Sequence, residues 1–219
     1  MQPEDSLRST RTAYDEVASD YARLLPDMSS EAPIDRAILT AFVEMVGVAG
    51  DGLAIEVGCG SGRVTAHLAN VGLRIFGLDL SLGMATVAKA ARPDLRFTVA
   101  HAGALPVRSG TLGGLVAWYS LINLSSDLLA GVAVEFARVI RPGAPILVAF
   151  QSGDGERVVR TTSYGHDVPL TYYRHRISDV SDTLMNAGLA VHATVQRQRQ
   201  PAVAHESTPQ AFLLAQRVS

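Results

Sequence analysis

The sequence predicts a doubly wound α/β fold: a seven-stranded, mostly parallel sheet with an antiparallel last strand, preceded by an N-terminal helical cap. Short apolar runs alternate with helical stretches between residues 53 and 150, the pattern of a parallel sheet covered on both faces. Glycines follow the first run and an acidic residue follows the second. A polar segment and two more apolar runs complete the 219 residues, a length that suits one domain with a full core.

The N-terminal region, residues 1–48, is the predicted helical cap. An amphipathic helix over residues 6–25 ends at Pro26. A second helix over residues 33–46 ends at Gly47, ahead of a glycine-containing turn. Both helices precede the first apolar run, so we treat this region as an addition to the sheet.

Residues 49–150 are the predicted core. Short apolar runs are typical of buried parallel strands, and five such strands are predicted at 53–57, 73–78, 96–100, 115–118 and 146–150. Helices are predicted between them at 63–69, 82–91 and 128–140.

The strand–helix alternation stops after Phe150. Residues 151–176 are polar, rich in Gly, Tyr and His, and too long for an ordinary connection, so we expect an insert on the substrate side. In the C-terminal region, residues 177–219, we expect a helix at 178–186 and strands at 190–197 and 211–216. The loop between these strands indicates a hairpin, and therefore an antiparallel edge.

Composition excludes several classes of protein. The net charge of −2 argues against a nucleic-acid binder, which usually has a strong basic excess. The single cysteine, Cys59, excludes an intramolecular disulfide framework and a thiolate-rich zinc site, and we expect no metal. No apolar run reaches the roughly 20 residues of a membrane-spanning helix, and the first residues lack the features of a secretory signal. We expect a cytoplasmic monomer or homodimer that acts on a small molecule.

The most informative segment is the glycine loop between the first strand and the next helix. Gly58, Gly60 and Gly62 let the backbone turn sharply and approach a ligand at the carboxyl end of a central strand. Asp79 follows Gly58 by 21 positions and ends the next strand, where an acid can accept hydrogen bonds from ribose hydroxyls. A dinucleotide site usually has Gly-x-Gly-x-x-Gly, whereas the spacing here is Gly-x-Gly-x-Gly. The carboxylate of Glu56 before the loop suits an ammonium group, so a nucleoside bearing an amino acid fits better than NAD.

Residues 56–62 resemble the first motif of class I S-adenosylmethionine-dependent methyltransferases, of the small bacterial metabolite type. Residues 77–81 are similar to the second motif of that family, and Ser81 with Met84 to its usual helix start. Residues 103–106 and 138–143 resemble the stretches after the third strand and before the fifth. The resemblance spans roughly residues 14–150 and follows the order of the family.

The resemblance implies S-adenosyl-L-methionine as cofactor, with the glycines beneath its methionine part and ribose, Asp79 on the ribose, and Leu80 and Met84 around adenine. His101 stands where many relatives have an acid, and a neutral histidine nitrogen can also accept the bond from the adenine amino group. The expected cofactor-binding residues are Tyr14, Tyr21, Glu56, Gly58, Cys59, Gly60, Gly62, Asp79, Leu80, Met84, His101, Ala102, Gly103 and Trp118. Cys59 is expected to pack rather than to act as a nucleophile.

For the acceptor, we expect contacts near the ends of the fourth and fifth strands, where α/β sheets bind ligands. The expected residues are Tyr119, Asn123, Tyr164, Tyr173, Arg174 and His175. His166, beside Asp167 and after Gly165, is the preferred general base because histidine titrates near neutrality. A solvated loop histidine is the alternative. Asn123 occupies a place where relatives often have histidine, so no base is expected there.

The resemblance implies methyl transfer from S-adenosylmethionine to an oxygen or nitrogen of a small-molecule metabolite. Because the cofactor supplies the electrophile, the protein mainly aligns the reacting groups, and no catalytic residue is obligatory. Three alternatives remain open: a non-methylating use of the same cofactor such as cyclisation, an NAD-dependent oxidoreductase, and a non-catalytic binding module.

Overall fold

The computed structural model describes residues 3–50, 52–200 and 206–218. Its strands are β1 (Ala54–Val57), β2 (Ile75–Asp79), β3 (Phe97–Val99), β4 (Gly114–Trp118), β5 (Pro145–Gln151), β6 (Glu156–Arg160), β7 (Leu170–Arg174), β8 (Leu189–Arg197) and β9 (Gln210–Arg217). Its α-helices are α1 (Pro3–Leu24), α2 (Pro33–Val48), α3 (Arg63–Asn70), α4 (Leu82–Ala91), α5 (Ser126–Val139) and α6 (Ile177–Asn186). Short 3₁₀ helices lie at Met28–Ser30 and Leu121–Asn123.

The main sheet has seven strands in the order β3-β2-β1-β4-β5-β9-β8. The first five pair in parallel, and β9 runs antiparallel to both of its neighbours. Every residue of β1 and β4 is buried, which explains why these strands are continuous apolar runs rather than alternating ones. The predicted seven-stranded sheet with its reversed last strand is confirmed.

Apolar side chains cover the sheet on both faces. One cluster joins Phe42 and Val46 of α2 and Leu68 of α3 to the sheet. The other joins the sheet to Phe136 of α5 and Val180 of α6. The helices of the doubly wound fold are therefore held by two separate apolar layers.

Helix α1 is fastened to the start of α4. The carboxylate of Asp15 accepts hydrogen bonds from Ser81 Oγ at 2.6 Å and from the Gly83 amide at 2.8 Å. A Cβ at Gly83 would lie 2.8 Å from the Asp15 carbonyl oxygen, so only glycine permits this approach. The cap therefore lies against the end of the sheet where Asp79 emerges.

The predicted insert contains structure that the sequence analysis did not predict. Strand β5 continues to Gln151, and β6 and β7 form an antiparallel hairpin separate from the main sheet. Four of the five residues of β6 are exposed, so this strand has no apolar face to reveal it. The other helices and strands begin and end within three residues of the predicted bounds, the largest difference being α1, which starts at Pro3.

Among the described residues, no helix is both long enough and apolar enough to cross a membrane. The same part of the chain has no group of three or more His, Cys, Asp or Glu side chains placed to hold a metal ion.

Candidate functional site

A cleft runs along the carboxyl ends of β1, β2, β4 and β5 and the start of β9, with α1 forming part of its wall. It brings together most of the residues that the sequence analysis proposed for cofactor and acceptor. The expected cofactor residues that line it are Tyr14, Tyr21, Gly58, Gly60, Asp79, Leu80, Met84, His101, Ala102 and Trp118. The expected acceptor residues that line it are Tyr119, Asn123 and Tyr164.

The glycine loop approaches the cleft in conformations that other residues rarely adopt. Gly58, Gly60 and Gly62 have φ angles of 71°, 53° and 80°. A Cβ at Gly58 would lie 2.2 Å from the Ser120 Cβ, and a Cβ at Gly60 would lie 3.6 Å from the ring of Tyr21. Side chains here would fill the space between the loop and the opposite wall, which is the space a ligand needs.

Asp79 connects the loop to the end of β2. Its carboxylate accepts hydrogen bonds from the Gly60 amide at 2.7 Å and from the Ser81 amide at 2.8 Å. Burial raises the pKa of Asp79 despite these hydrogen bonds, since only 9% of the residue is exposed. A carboxylate has about four acceptor positions, so two amide donors leave room for the hydroxyls of a ribose.

Glu56 lies behind the loop and does not line the cleft. It is 2% exposed, and its carboxyl group accepts a hydrogen bond from Thr65 Oγ1 on α3. Burial raises the pKa of Glu56 to about 8. At neutral pH this group is largely protonated, so it holds the loop against α3 as a neutral acid.

Cys59, Gly62 and Gly103 also lie outside the cleft lining. Cys59 is 5% exposed, and burial raises the pKa of its thiol well above its ordinary value, which favours packing over nucleophilic chemistry. A Cβ at Gly62 would lie 2.8 Å from the ring of Phe97, so Gly62 serves the contact between loop and sheet.

Gly103 positions His101. The Gly103 amide donates to His101 Nδ1 at 3.2 Å, and a Cβ at Gly103 would lie 2.9 Å from the ring. Because Nδ1 accepts, the proton of the neutral ring belongs on Nε2, and burial lowers the pKa of His101, which favours that neutral form. This tautomer presents a donor rather than the acceptor expected from the sequence. Nε2 is buried and has no partner among the described residues.

Aromatic residues form much of the remaining wall. Tyr14 and Tyr21 of α1 contact each other edge-on with ring centroids 6.4 Å apart, and Tyr21 contacts Tyr164 at 5.0 Å. Asn123 Nδ2 donates to the Tyr14 hydroxyl at 3.3 Å. Tyr119 and Tyr164 are the two non-glycine residues of the described chain with positive φ, at 59° and 53°. Strained backbone of this kind is often retained where a side chain must point in one direction.

The cleft lining also includes polar and charged residues that the sequence analysis missed, among them Glu31, Arg63, Gln151, Glu206 and Gln210. Arg63 could have been found, because it directly follows the glycine loop. Gln151 and Gln210 are opposite each other in the β5–β9 register, which only the pairing reveals. Glu31 and Glu206 lie in connections, and no motif marks them.

The expected base and three of the expected acceptor residues also lie outside the cleft lining. His166 Nε2 lies 2.5 Å from the Asp20 carboxylate of α1, and Tyr173 stacks on His175 with centroids 6.2 Å apart. Arg174 donates to Ser207 Oγ at 3.3 Å. Buried His175 donates from Nε2 to the Leu121 carbonyl at 3.0 Å, so it supports the 3₁₀ turn that lines the cleft.

Comparison with known proteins identifies the central part of the chain. Residues 54–143 match the family model described as a methyltransferase domain. The demethylmenaquinone methyltransferase of Beutenbergia cavernae is 32% identical over 136 residues, which are 62% of this chain and 55% of that protein. The corresponding enzyme of Renibacterium salmoninarum is 27% identical over 149 residues, 64% of this chain and 62% of its own length. The chain thus spans less than two thirds of the length of these curated relatives.

Solved structures show the same fold at low sequence identity. The 1,6-didemethyltoxoflavin-N1-methyltransferase of Burkholderia thailandensis has a TM-score of 0.74 at 15% identity, covering 100% of this chain and 92% of that one. The magnesium protoporphyrin IX methyltransferase of Synechocystis has a TM-score of 0.70 at 16% identity, with 97% of each chain covered. The motifs, the sheet order and the methyltransferase domain matched at residues 54–143 agree with one another, and each makes this chain similar to the class I S-adenosylmethionine-dependent methyltransferases.

Proposed function

We propose that this protein transfers a methyl group from S-adenosylmethionine to an oxygen or nitrogen of a small-molecule metabolite. The observation that carries the proposal is the cleft itself, in which the left-handed glycine loop and the Asp79 carboxylate meet at the carboxyl ends of β1 and β2. This arrangement suits a nucleoside whose ribose binds the acid and whose remainder lies along the loop.

The residues present fit S-adenosylmethionine. Asp79 would hold the ribose, and the backbone at Gly58 and Gly60 would pass beneath the amino-acid part, where a Cβ would take the space. Leu80 and Met84 supply apolar contacts at the same end of the cleft, where an adenine ring would lie. The bound cofactor would supply an electrophilic methyl group on its sulfonium sulfur.

The protein's own contribution is mainly to bind, align and exclude water. Helix α1 forms part of the cleft wall, and Asp15 holds it against α4. Tyr119 and Asn123 lie at the end of β4 and in the turn that follows, where they can orient an acceptor. His166 contacts Asp20 rather than the cleft, so the geometry favours alignment over base catalysis by that residue.

A small-molecule acceptor fits a cleft walled by α1 and by tyrosine side chains. The names of similar proteins refer to demethylmenaquinone, the malonyl group of an acyl-carrier protein and 1,6-didemethyltoxoflavin. We further propose a single cytoplasmic domain, monomeric or homodimeric, in which residues 1–48 are the cap, 49–150 the cofactor-binding core, 151–176 the acceptor-side insert and 177–219 the C-terminal helix and hairpin.

The test uses the full chain with S-adenosylhomocysteine and, in parallel, NADH. We expect S-adenosylhomocysteine to raise the melting temperature, because a ligand of the native state stabilises it by mass action. Calorimetry should give a matching dissociation constant. Stabilisation by NADH alone would support an oxidoreductase and contradict the proposal. Transfer of isotopically labelled methyl from S-adenosylmethionine to a panel of hydroxyl and amine compounds then separates methylation from a non-methylating reaction and from a non-catalytic binding module.

A further inference from the structure

The end of the cleft away from β3 is formed by a different kind of residue from the cofactor end. Tyr119 follows β4, Gln151 ends β5 and Gln210 begins β9. Because β9 is antiparallel, its start and the preceding Glu206 lie at the same edge of the sheet as the carboxyl ends of β4 and β5. Glu31 reaches the cleft from the cap, so five polar residues from different elements converge there.

The carboxylates at this end of the cleft form ion pairs with two arginine side chains. Glu31 pairs with Arg63 at 2.6 Å. Arg197, at the end of β8, donates hydrogen bonds from its two terminal nitrogens to the Glu206 carboxylate, at 2.8 and 2.5 Å. The same guanidinium binds Asp35 of α2 at 2.7 and 2.6 Å. All five side chains are between 0% and 11% exposed, so their charges are poorly screened by solvent.

Together the two sets of ion pairs contain three carboxylates and two guanidinium groups, so these five side chains carry one net negative charge when all are ionised. Of the charged residues that line the cleft, Glu31, Asp79 and Glu206 are acids and Arg63 is the base. An anionic ligand would add a fourth negative charge beside these ion pairs. A cation would instead be attracted to them, in surroundings of low dielectric constant that strengthen the interaction.

The rings in this part of the cleft independently favour a cation. Trp118 and Tyr119 contact each other edge-on with centroids 5.6 Å apart, and both line the cleft. Aromatic faces attract cations electrostatically. Trp118 is 4% exposed, and its indole Nε1 has no hydrogen-bond partner among the described residues. Because an indole N–H only donates, it would pair with an oxygen or neutral nitrogen elsewhere in the same ligand rather than with the ammonium group.

Tyr119 adds a neutral polar group to the same place. Burial, together with the negative charges of Glu31 and Asp35, raises the pKa of the Tyr119 phenol well above its ordinary value. The phenol therefore stays protonated at neutral pH and can accept a hydrogen bond from an ammonium group while it donates its own proton elsewhere.

We propose that this end of the cleft, lined by Glu31, Tyr119 and Glu206, is an acceptor subsite for small molecules that carry a positively charged amine. The inference rests on the proposed methyl transfer, since it assigns the acceptor to a part of that cleft. A protonated amine has no lone pair to attack a methyl group. The amine is therefore the recognition group, and the methylated atom is a second oxygen or nitrogen of the same molecule.

The experiment compares tyramine with 3-(4-hydroxyphenyl)propanoate, which share a phenol but carry opposite charges. Each is titrated calorimetrically into protein saturated with S-adenosylhomocysteine. Tyramine should bind at least about tenfold more tightly, the scale of one charge contact that is partly shielded from water. Equal binding, tighter binding of the acid, or binding of neither probe would overturn the proposal.

Single substitutions test which residues cause the preference for tyramine. Glu206→Gln keeps the shape of the side chain and removes its charge, and it should reduce the preference for tyramine by about the same tenfold factor. Glu44→Gln, at an exposed position of α2, is the matched control and should keep the full preference. An unchanged preference in folded Glu206→Gln would overturn the assignment. If that variant does not fold, the wild-type comparison still decides. If S-adenosylhomocysteine does not bind, the proposed function is contradicted. If S-adenosylhomocysteine binds but the protein prefers 3-(4-hydroxyphenyl)propanoate to tyramine, only the present inference is contradicted.

Discussion

At the scale of single residues, the cleft depends on side chains that hold the backbone as well as face a ligand. Asp79 accepts two amide hydrogen bonds and still lines the cleft. Glu56 is adjacent to the same loop but faces away from the cleft, towards Thr65. These two acids, on the neighbouring strands β1 and β2, therefore have different tasks, one towards the cleft and one towards α3.

Asp79→Asn should weaken S-adenosylhomocysteine binding while preserving the fold. The amide has one acceptor oxygen and no charge, so it cannot serve both backbone amides and a ribose. Each lost hydrogen bond to a charged group costs roughly 1.5–3 kcal/mol, which corresponds to about a 10- to 100-fold rise in the dissociation constant. Calorimetry on this variant and on Asp94→Asn, an exposed acid, measures the effect. If both variants bind S-adenosylhomocysteine with equal affinity, Asp79 does not contact the ligand.

Glu56→Gln should change how stability depends on pH. The pKa of Glu56 rises from 4.5 to about 8 on folding, so between these values the native state binds a proton that the unfolded state has lost. The stability of the wild type therefore falls as pH increases through this window. The glutamine of the variant cannot take up this proton. Between pH 5 and pH 8, the free energy of unfolding of the variant should therefore fall by up to a few kcal/mol less than that of the wild type. Urea denaturation at several pH values checks this, and parallel curves for both proteins would contradict it.

At the scale of elements, α1 is held at two places. Asp15 binds the start of α4, and Asp20 binds His166 in the turn between β6 and β7. Tyr164 of the same turn packs on Tyr21 of α1 and lines the cleft. The connection between the two strands of the hairpin thus fastens the cap beside the cleft through Tyr164 and His166.

His166→Ala should act on the cap rather than on proton transfer. Losing the contact with Asp20 should loosen α1, so S-adenosylhomocysteine should dissociate faster, and Asp20→Asn should have a similar effect. Stopped-flow measurement of the dissociation rate provides the readout. A general base would behave differently: its loss would cost about 10²–10⁴-fold in turnover with cofactor release unchanged. That pattern, confined to His166→Ala and absent from Asp20→Asn, would restore the sequence-based hypothesis of a base.

At the scale of the whole molecule, the sequence predicts what is local and periodic. The strands of the core are short apolar runs, and the glycine loop with Asp79 is a motif of fixed spacing, so the fold and the meeting of the loop with Asp79 in the cleft could both be predicted. Glu31, Gln151 and Glu206 could not, because residues far apart in the chain meet only when β9 inserts between β5 and β8. The β6–β7 hairpin could not be predicted for another reason. Strand β6 is mostly exposed and charged, so its sequence lacks the alternation of apolar and polar residues that marks a strand packed on a core.

The Arg197 network tests this long-range assembly, because it joins α2 to the two C-terminal strands. Arg197→Met would leave Asp35, which is fully buried, and Glu206 without their shared guanidinium. Removing one partner of a buried ion pair typically costs 3–5 kcal/mol, since an uncompensated charge remains, and we expect a loss of about 3 kcal/mol in the free energy of unfolding.

Urea denaturation measures the effect of Arg197→Met, with Arg74→Met at an exposed position as the control. Adding Asp35→Asn to Arg197→Met should recover part of the loss, because it removes one of the stranded charges. The Asp35 side chain also accepts a hydrogen bond from the Ala32 amide at 3.2 Å, which the asparagine oxygen can retain. A loss no larger than that of the control would mean that the three charges contribute little to joining α2 to β8 and β9. Recovery in the double variant would show instead that the arginine is needed chiefly to compensate the acids beside the cleft.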